Sequence, residues 1–301
     1  MNLQELQQQL QQALALINTD YASKTNIRLE DAHGLSNTQS LLQRCEQVAR
    51  QNSEKSKPVL RIIRHLACSG GTLISKCISA LPNVYLLSEV HPFVNLGLGI
   101  GTDISSLTKF AGIPMQRELA ARLFVNSIHE VYEHVINIGG TLVLREHTHI
   151  DFSTEQNIPT KSTLIELLEE YYEIRSILTI RDPIDSYASL VKKGWVHFSP
   201  KTFEEYCRRI VILISQCQDE QIFKYEEFVK NPQLQMQEMV KSLGLTFHDN
   251  FEHIFSIFKV TGDSGRSGDV IESRPRVVPE GIINESQISA SYKEFLKFGF
   301  Y

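Results

Sequence analysis

Three groups of residues in this chain have the types and spacing to do chemistry. The first is Ala67-Cys68-Ser69-Gly70-Gly71-Thr72, a small, polar run between an apolar, β-branched stretch and a helical one. A loop that feeds a helix N-terminus offers unused backbone N–H groups and a partial positive charge, which suits a phosphate-like anion. Two glycines let the backbone close around it. The loop is not a Walker A motif, which needs Lys before the hydroxyl residue where this chain has Gly71. The second group is Arg181 and Ser189, eight positions apart at the end of one apolar run and on the stretch that follows. A fixed guanidinium plus a hydroxyl is a natural receptor for a terminal phosphate. The third is Arg145-Glu146-His147-Thr148-His149, which directly follows another apolar run. Its two histidines form half a metal site at most, and no third ligand cluster accompanies them, so no metal is expected.

These groups need a frame that brings strand ends to helix starts. Five short apolar runs supply it: Val59 to Ile63, Val84 to Leu87, Thr141 to Leu144, Ile177 to Ile180 and Ile222 to Tyr225. Helical patterns alternate with them, over Leu73–Leu81, Met115–Ile136, Thr163–Tyr172, Thr202–Gln216 and from Pro232 to Leu243. That alternation predicts an α/β domain: three layers, a parallel sheet of about five strands, helices on both faces. Asp182-Pro183 reads as N-cap and first helical residue, and Thr163 with Glu166 as a capping box. Leu119, Leu123, Val131 and Val135 are the expected core positions of the long helix. His129 and His134 on it are too far apart for an i, i+4 metal pair and read as surface or packing residues. Ile288 to Phe298 reads as a last amphipathic helix. In such sheets ligands bind at the carboxyl ends of the strands, where all three groups lie.

Residues 1–57 differ from the rest. Leu3, Leu6, Leu10, Leu14 and Ile17 form a helical stripe against a Gln-rich face, and Ser40 to Gln51 reads as a second helix. The expected division is an N-terminal helical extension (1–57) and an α/β domain (58–301), with the extension packing on that domain or on a second copy as a homo-oligomer. Asn95 to Gly101 (NLGLGIG) reads as a loop, its glycines wrongly spaced for a dinucleotide fingerprint. The segment from Gly262 to Arg276 carries three glycines and three arginines and reads as a loop able to close over an anion.

Bulk properties narrow the function classes. Hydrophobic residues make 42% and charged residues 22% of the 301, as in a globular protein. A net charge of −5 argues against general nucleic-acid or anionic-membrane binding. Five scattered cysteines without CxxC spacing argue against a disulfide framework or zinc cluster. The first residues lack a signal-peptide pattern, and no stretch is long and apolar enough to span a bilayer. The expectation is a soluble, cytoplasmic protein.

With these stretches in view, the chain resembles the sulfotransferases that use 3′-phosphoadenosine-5′-phosphosulfate (PAPS), over about residues 58 to 276. Ser69-Gly70-Gly71-Thr72 looks like that family's 5′-phosphosulfate loop. The pattern R-x-P-x-D-x-x-x-S, here Arg181, Pro183, Asp185 and Ser189, looks like its 3′-phosphate motif. Tyr225 to Pro232 resembles a further strand–helix element, and the late Gly/Arg segment sits where the family closes a loop over the nucleotide. The resemblance implies a P-loop kinase-like fold and metal-free transfer of a sulfonate to a hydroxyl or amine, leaving 3′,5′-bisphosphate (PAP). Without a strongly basic groove, the expected acceptor is a small molecule or modest glycan rather than a highly sulfated polymer. Cys68, Ser69, Gly70, Gly71, Thr72, Arg181, Ser189 and Arg266 would bind the nucleotide. Two residues qualify as base: Glu89, near the end of the second strand, and His147, with Arg145 near the Lys of the family's K-x-H pattern. One departure stands out. Most members carry Lys or Arg just before the loop serine, where this chain has Cys68, leaving Arg64, His65 and Arg145 as substitutes, or a fold that binds PAP without turnover.

Overall fold

In the computed structural model the described residues are 57–93, 104, 107–108, 111–154, 157–217, 221–261, 270–273 and 277–301. The expected N-terminal helices, the NLGLGIG loop and Arg266 lie outside them.

Five parallel strands form one sheet: β1 (Val59–Arg64), β2 (Val84–Val90), β3 (Thr141–Glu146), β4 (Glu173–Ile180) and β5 (Gln221–Lys224). Their order is β2-β3-β1-β4-β5. The α/β, three-layer expectation holds because β1, β3 and β4 present apolar side chains alternately to both faces, as a sheet covered twice requires. Ile63, Val143, Ile177 and Phe223 pack on one face against helix α1 (Gly71–Ser79) and the Met236, Met239, Val240, Leu243 stripe of a later helix. Leu60, Ile62, Leu142 and Leu144 face α2 (Gln116–Asn137) on the other side. Leu178 and Ile180 continue that opposite face further along the sheet, against α5 (Pro183–Lys193) and α6 (Phe203–Ser215). Between them, α3 (Thr148–Phe152) and α4 (Thr163–Leu168) follow β3.

After β5 come α7 (Tyr225–Lys230), α8 (Pro232–Leu243), which carries the methionine stripe, and α9 (Phe251–Ile254). The chain ends in α10 (Glu280–Ile288) and α11 (Ala290–Leu296). The last helix expected over Ile288–Phe298 is α11, shorter by two residues at each end; α10 before it was not anticipated. Ser289 separates the two: its hydroxyl caps α11 by accepting the Tyr292 N–H, and also donates to Glu204 on α6. The α4 cap also differs. Ser162, not Thr163, is the N-cap, because Asp151 takes both the backbone N–H and the hydroxyl of Thr163. Asp182 caps α5 as read from sequence, accepting the Ile184 N–H at 2.8 Å. Of the α2 positions expected in the core only Val135 is fully buried, while Ala120, Ile128 and Tyr132 complete the stripe. His129 and His134 are exposed on it.

Candidate active site

The strand register assembles the site. Ile63 pairs with Arg145, so β1 delivers His65 beside the end of β3. Val90 pairs with Glu146 after a register irregularity, bringing Glu89 alongside Arg145. Ile180 pairs with Lys224, so Arg181 leaves β4 next to Tyr225.

The loop between β1 and α1 is wrapped tightly. The Ser69 hydroxyl donates to the Leu66 carbonyl at 2.7 Å. Cys68 and Gly70 have φ of 67° and 88°, in the left-handed region. Gly70 ends the loop as the α1 N-cap without a side-chain cap, and the first turn holds no acidic residue. Both glycines are closely covered: a Cβ on Gly70 would come within 2.1 Å of the Tyr225 ring, and one on Gly71 within 2.0 Å of the His65 ring. The loop is thus a backbone cradle at a helix N-terminus, the geometry expected for an anion site.

Arg181 lies against this cradle. One terminal nitrogen donates to the Cys68 carbonyl at 3.4 Å, the other to Asp185 at 2.7 Å, and its Cζ sits 5.1 Å from the Tyr225 ring centroid. It is buried, yet its Nε has no partner among the described residues. Ser189, also buried, donates its hydroxyl to the Asp185 carbonyl one turn back. The two residues read from sequence as a phosphate receptor therefore share the start of α5.

Across the sheet, Glu89, Arg145 and His147 meet. Arg145 donates to Glu89 Oε1 at 2.6 Å, and His147 Nε2 lies 3.5 Å from Glu89 Oε2. Arg145 also donates through Nε to His65 Nε2 (2.9 Å), through Nη1 to Ser88 Oγ (3.0 Å) and the Thr261 carbonyl (2.8 Å), and through Nη2 to Thr72 Oγ1 (3.4 Å). The last contact joins the cluster to the loop. Glu89 holds a φ of 58°, a left-handed conformation uncommon for a residue with a side chain. Burial pushes its carboxyl up, and the Arg145 charge opposes that. His147 is pushed down to about 4 by burial, then by the His91 and Arg145 charges. It is therefore a neutral imidazole near pH 7, and its Nδ1 is buried without a partner among the described residues.

Alternation decides the remaining members of the third group. Glu146 faces away from Arg145 and His147. There it binds Arg64 Nε at 2.8 Å, accepts from Thr148 Oγ1 at 2.8 Å and bonds to Ser162. Glu146 and Arg64 are thus a buried structural pair, and Arg64 points away from the loop. His149 is pushed down to about 3, by burial first and then by His147 and His197. Its ring stands edge-on to His197, with centroids 5.7 Å apart. Among the described residues no group of three His, Cys, Asp or Glu could hold a metal ion, and no helix is long and apolar enough to cross a membrane.

Sequence reasoning treated His65 only as a possible spare charge and read Tyr225 as the end of the fifth strand, although it begins α7 and covers Gly70. The strand-end position of each was the available signal. It also missed the His91–Asp151 pair, 3.1 Å apart, which braces the residues after β2 against α3.

No family model and no curated protein matches the chain. Its fold is similar to that of several solved structures. One is a sulfotransferase domain from the curacin biosynthetic pathway: 16% identity, 77% of this chain and 98% of that one covered, TM-score 0.47. Another is a sulfotransferase domain from the Synechococcus PCC 7002 olefin synthase: 17% identity, 77% and 95% covered, TM-score 0.48. A third is mouse sulfotransferase SULT7A1 complexed with PAP: 14% identity, 64% and 60% covered, TM-score 0.36.

Proposed function

We propose that the protein is a sulfotransferase that moves a sulfonate from PAPS to a hydroxyl or amine of a small-molecule or glycan acceptor. One observation carries this reading. Two anion-receptor elements, the Gly70–Gly71 cradle and the Arg181/Ser189 pair, are joined directly through the Arg181–Cys68 bond. They adjoin an acid–base cluster that touches the same loop through Thr72. A nucleotide bearing a phosphate group at each end of its ribose fits two such receptors. The residues present fit such a group: Arg181 keeps a buried Nε without a partner among the described residues, beside the loop.

In this reading the backbone N–H groups of Gly70, Gly71 and Thr72 hold the 5′-phosphosulfate together with the Ser69 and Thr72 hydroxyls. Arg181 and Ser189 hold the 3′-phosphate, with Arg266 from the later Gly/Arg segment. The acceptor oxygen forms a bond to sulfur as the bridging S–O bond breaks. The electron pair of that bond leaves on the 5′-phosphate of PAP, and the acceptor proton passes to the protein. Glu89 is the base we assign, with its backbone held in a conformation that a strand end would not choose unaided. The neutral His147 imidazole, its Nε2 3.5 Å from Glu89, stands beside the carboxylate as a second group able to take the proton. Arg145 supplies positive charge beside the loop. The same reading expects a cytoplasmic protein of two parts, 1–57 and 58–301.

The test is thermal stability with PAP, with AMP and with ATP plus magnesium. At 100 times its dissociation constant a ligand stabilises the native state by about 2.7 kcal/mol. A shift with PAP alone, abolished in Arg181→Ala, is expected. A shift with ATP and magnesium but not PAP would transfer the reading to a kinase. PAP binding without PAPS cleavage across a panel of alcohols, phenols and amines would mark a silent nucleotide-binding protein.

A further inference from the structure

The residue before the loop serine is Cys68, whose side chain can bring no positive charge to the oxygen that accepts the departing electron pair. Of the three substitutes the sequence offers, Arg64 is committed to Glu146. His65 is held neutral, by burial first and then by the charge on Arg145. Arg145 remains, with one terminal nitrogen 3.4 Å from Thr72 Oγ1 on the first turn of α1.

We propose that His65 is the positioning residue that aims Arg145 at the loop: its Nε2 accepts the Arg145 Nε–H, so the guanidinium takes over the charge-stabilising place that Cys68 leaves vacant. The inference rests on the sulfonate-transfer reading and assigns His65 a part in it. The geometry is closely determined. His65 is 5% exposed, its ring lies flush on Gly71, and its backbone N–H donates to Thr148 Oγ1 at 3.3 Å. A guanidinium offers only donors, so the imidazole nitrogen facing it must carry a lone pair, which leaves the proton on Nδ1. That Nδ1 is buried without a partner among the described residues, a cost a purely structural histidine has no reason to bear. The remaining Arg145 donors go to Glu89, Ser88, the Thr261 carbonyl and Thr72. Without the Nε anchor the fork is free to turn about its Cδ–Nε bond toward the Glu89 carboxylate and away from Thr72.

The experiment uses the full chain and PAPS itself, following PAP release with water and simple phenols and alcohols as acceptors. His65→Leu removes the acceptor atom; His65→Gln restores one through its amide oxygen. The expected result is a kcat loss of about tenfold or more for the Leu variant. Its KM for PAPS should stay within about twofold, and the Gln variant should recover most of the rate. In an Arg145→Gln background His65→Leu should cost less than about twofold, because residues acting through one another are not additive. Additive losses, or a Gln variant no better than Leu, would overturn the proposal. Should the Leu variant not fold, nitrogen chemical shifts of labelled histidine in the unmodified protein decide: a protonated Nε2 on His65 rejects the assignment. A protein that neither binds nor cleaves PAPS instead sinks the sulfonate reading, and the same shifts still show whether His65 accepts from Arg145.

Discussion

The two halves of the site are built in opposite ways. On the β4 side, Arg181, Asp185 and Ser189 contact one another at spacings of one helical turn along α5 and its start, and Arg181 reaches beyond it to Cys68 and Tyr225. On the β2–β3 side, the hydrogen bonds of Arg145 join residues 56 to 116 positions apart. The first half follows from local helix geometry once Asp182 and Pro183 start the helix. The second half exists only when three strands take their correct register. In the proposed function the difference separates binding from turnover: the local half is the receptor, and the distant half holds the acid–base groups and their charge.

The sharpest way to break this comparison is Glu89→Gln. It should lower turnover by about 10²- to 10⁴-fold while PAP affinity changes by less than about threefold, as loss of an acid–base group does. Equal losses in both quantities, measured by steady-state kinetics and calorimetry, would mean the halves are not separate.

Next in size is Gly71→Ala, which drives a methyl group into the His65 ring and joins both halves in one defect. Loss of PAP binding together with a stability loss of about 2–3 kcal/mol is expected from overpacking. An unaltered denaturation midpoint would show that the His65 ring moves aside without cost.

Acid sharpens the comparison on the β3 side. His147 is lowered from an ordinary histidine value to about 4, so below pH 6.5 the unfolded chain binds a proton that the native protein refuses. Its contribution to stability is complete above about 6.5 and falls away as the pH drops toward 4. The loss is about 3 kcal/mol from this group. His147→Phe should flatten that part of the urea-midpoint-against-pH curve, and an unchanged curve would mean that His147 charges freely in the native protein.

The smallest effect belongs to the local half. Asp185 is partly exposed and occupies a donor of Arg181 that a phosphate would use. Asp185→Asn should therefore tighten PAP binding by a few-fold, the scale of a solvent-accessible ion pair. Weaker binding in that variant would instead make Asp185 a support that keeps the guanidinium aimed.

Legibility followed the same division. The Gly70–Gly71 loop, the Asp182 cap and the Arg181–Ser189 interval could be read directly, because each depends on neighbours within one turn or one loop. Arg145-Glu146-His147 looked from sequence like one group of titratable side chains. In the sheet, alternation sends Glu146 to the opposite face, where Arg64 and Ser162 satisfy it. His65 and Tyr225 gave no motif, since their importance lies in the glycines their rings cover. The C-terminal helix was read in place but α10 before it was not, and the boundary between them at Ser289 involves Glu204, a side chain 85 positions away.

The sequence by itself determined the five strands, the longer helices between them and the two segments proposed as anion receptors, because the periods of 2 and 3.6 residues and the capping and glycine signals are local. Only the tertiary structure decided that Glu89, His65 and Arg145 share one cluster and that Arg64 does not join it. Register and facing are set by packing the whole sheet between its helices, and a one-residue slip would send each of these side chains to the other side.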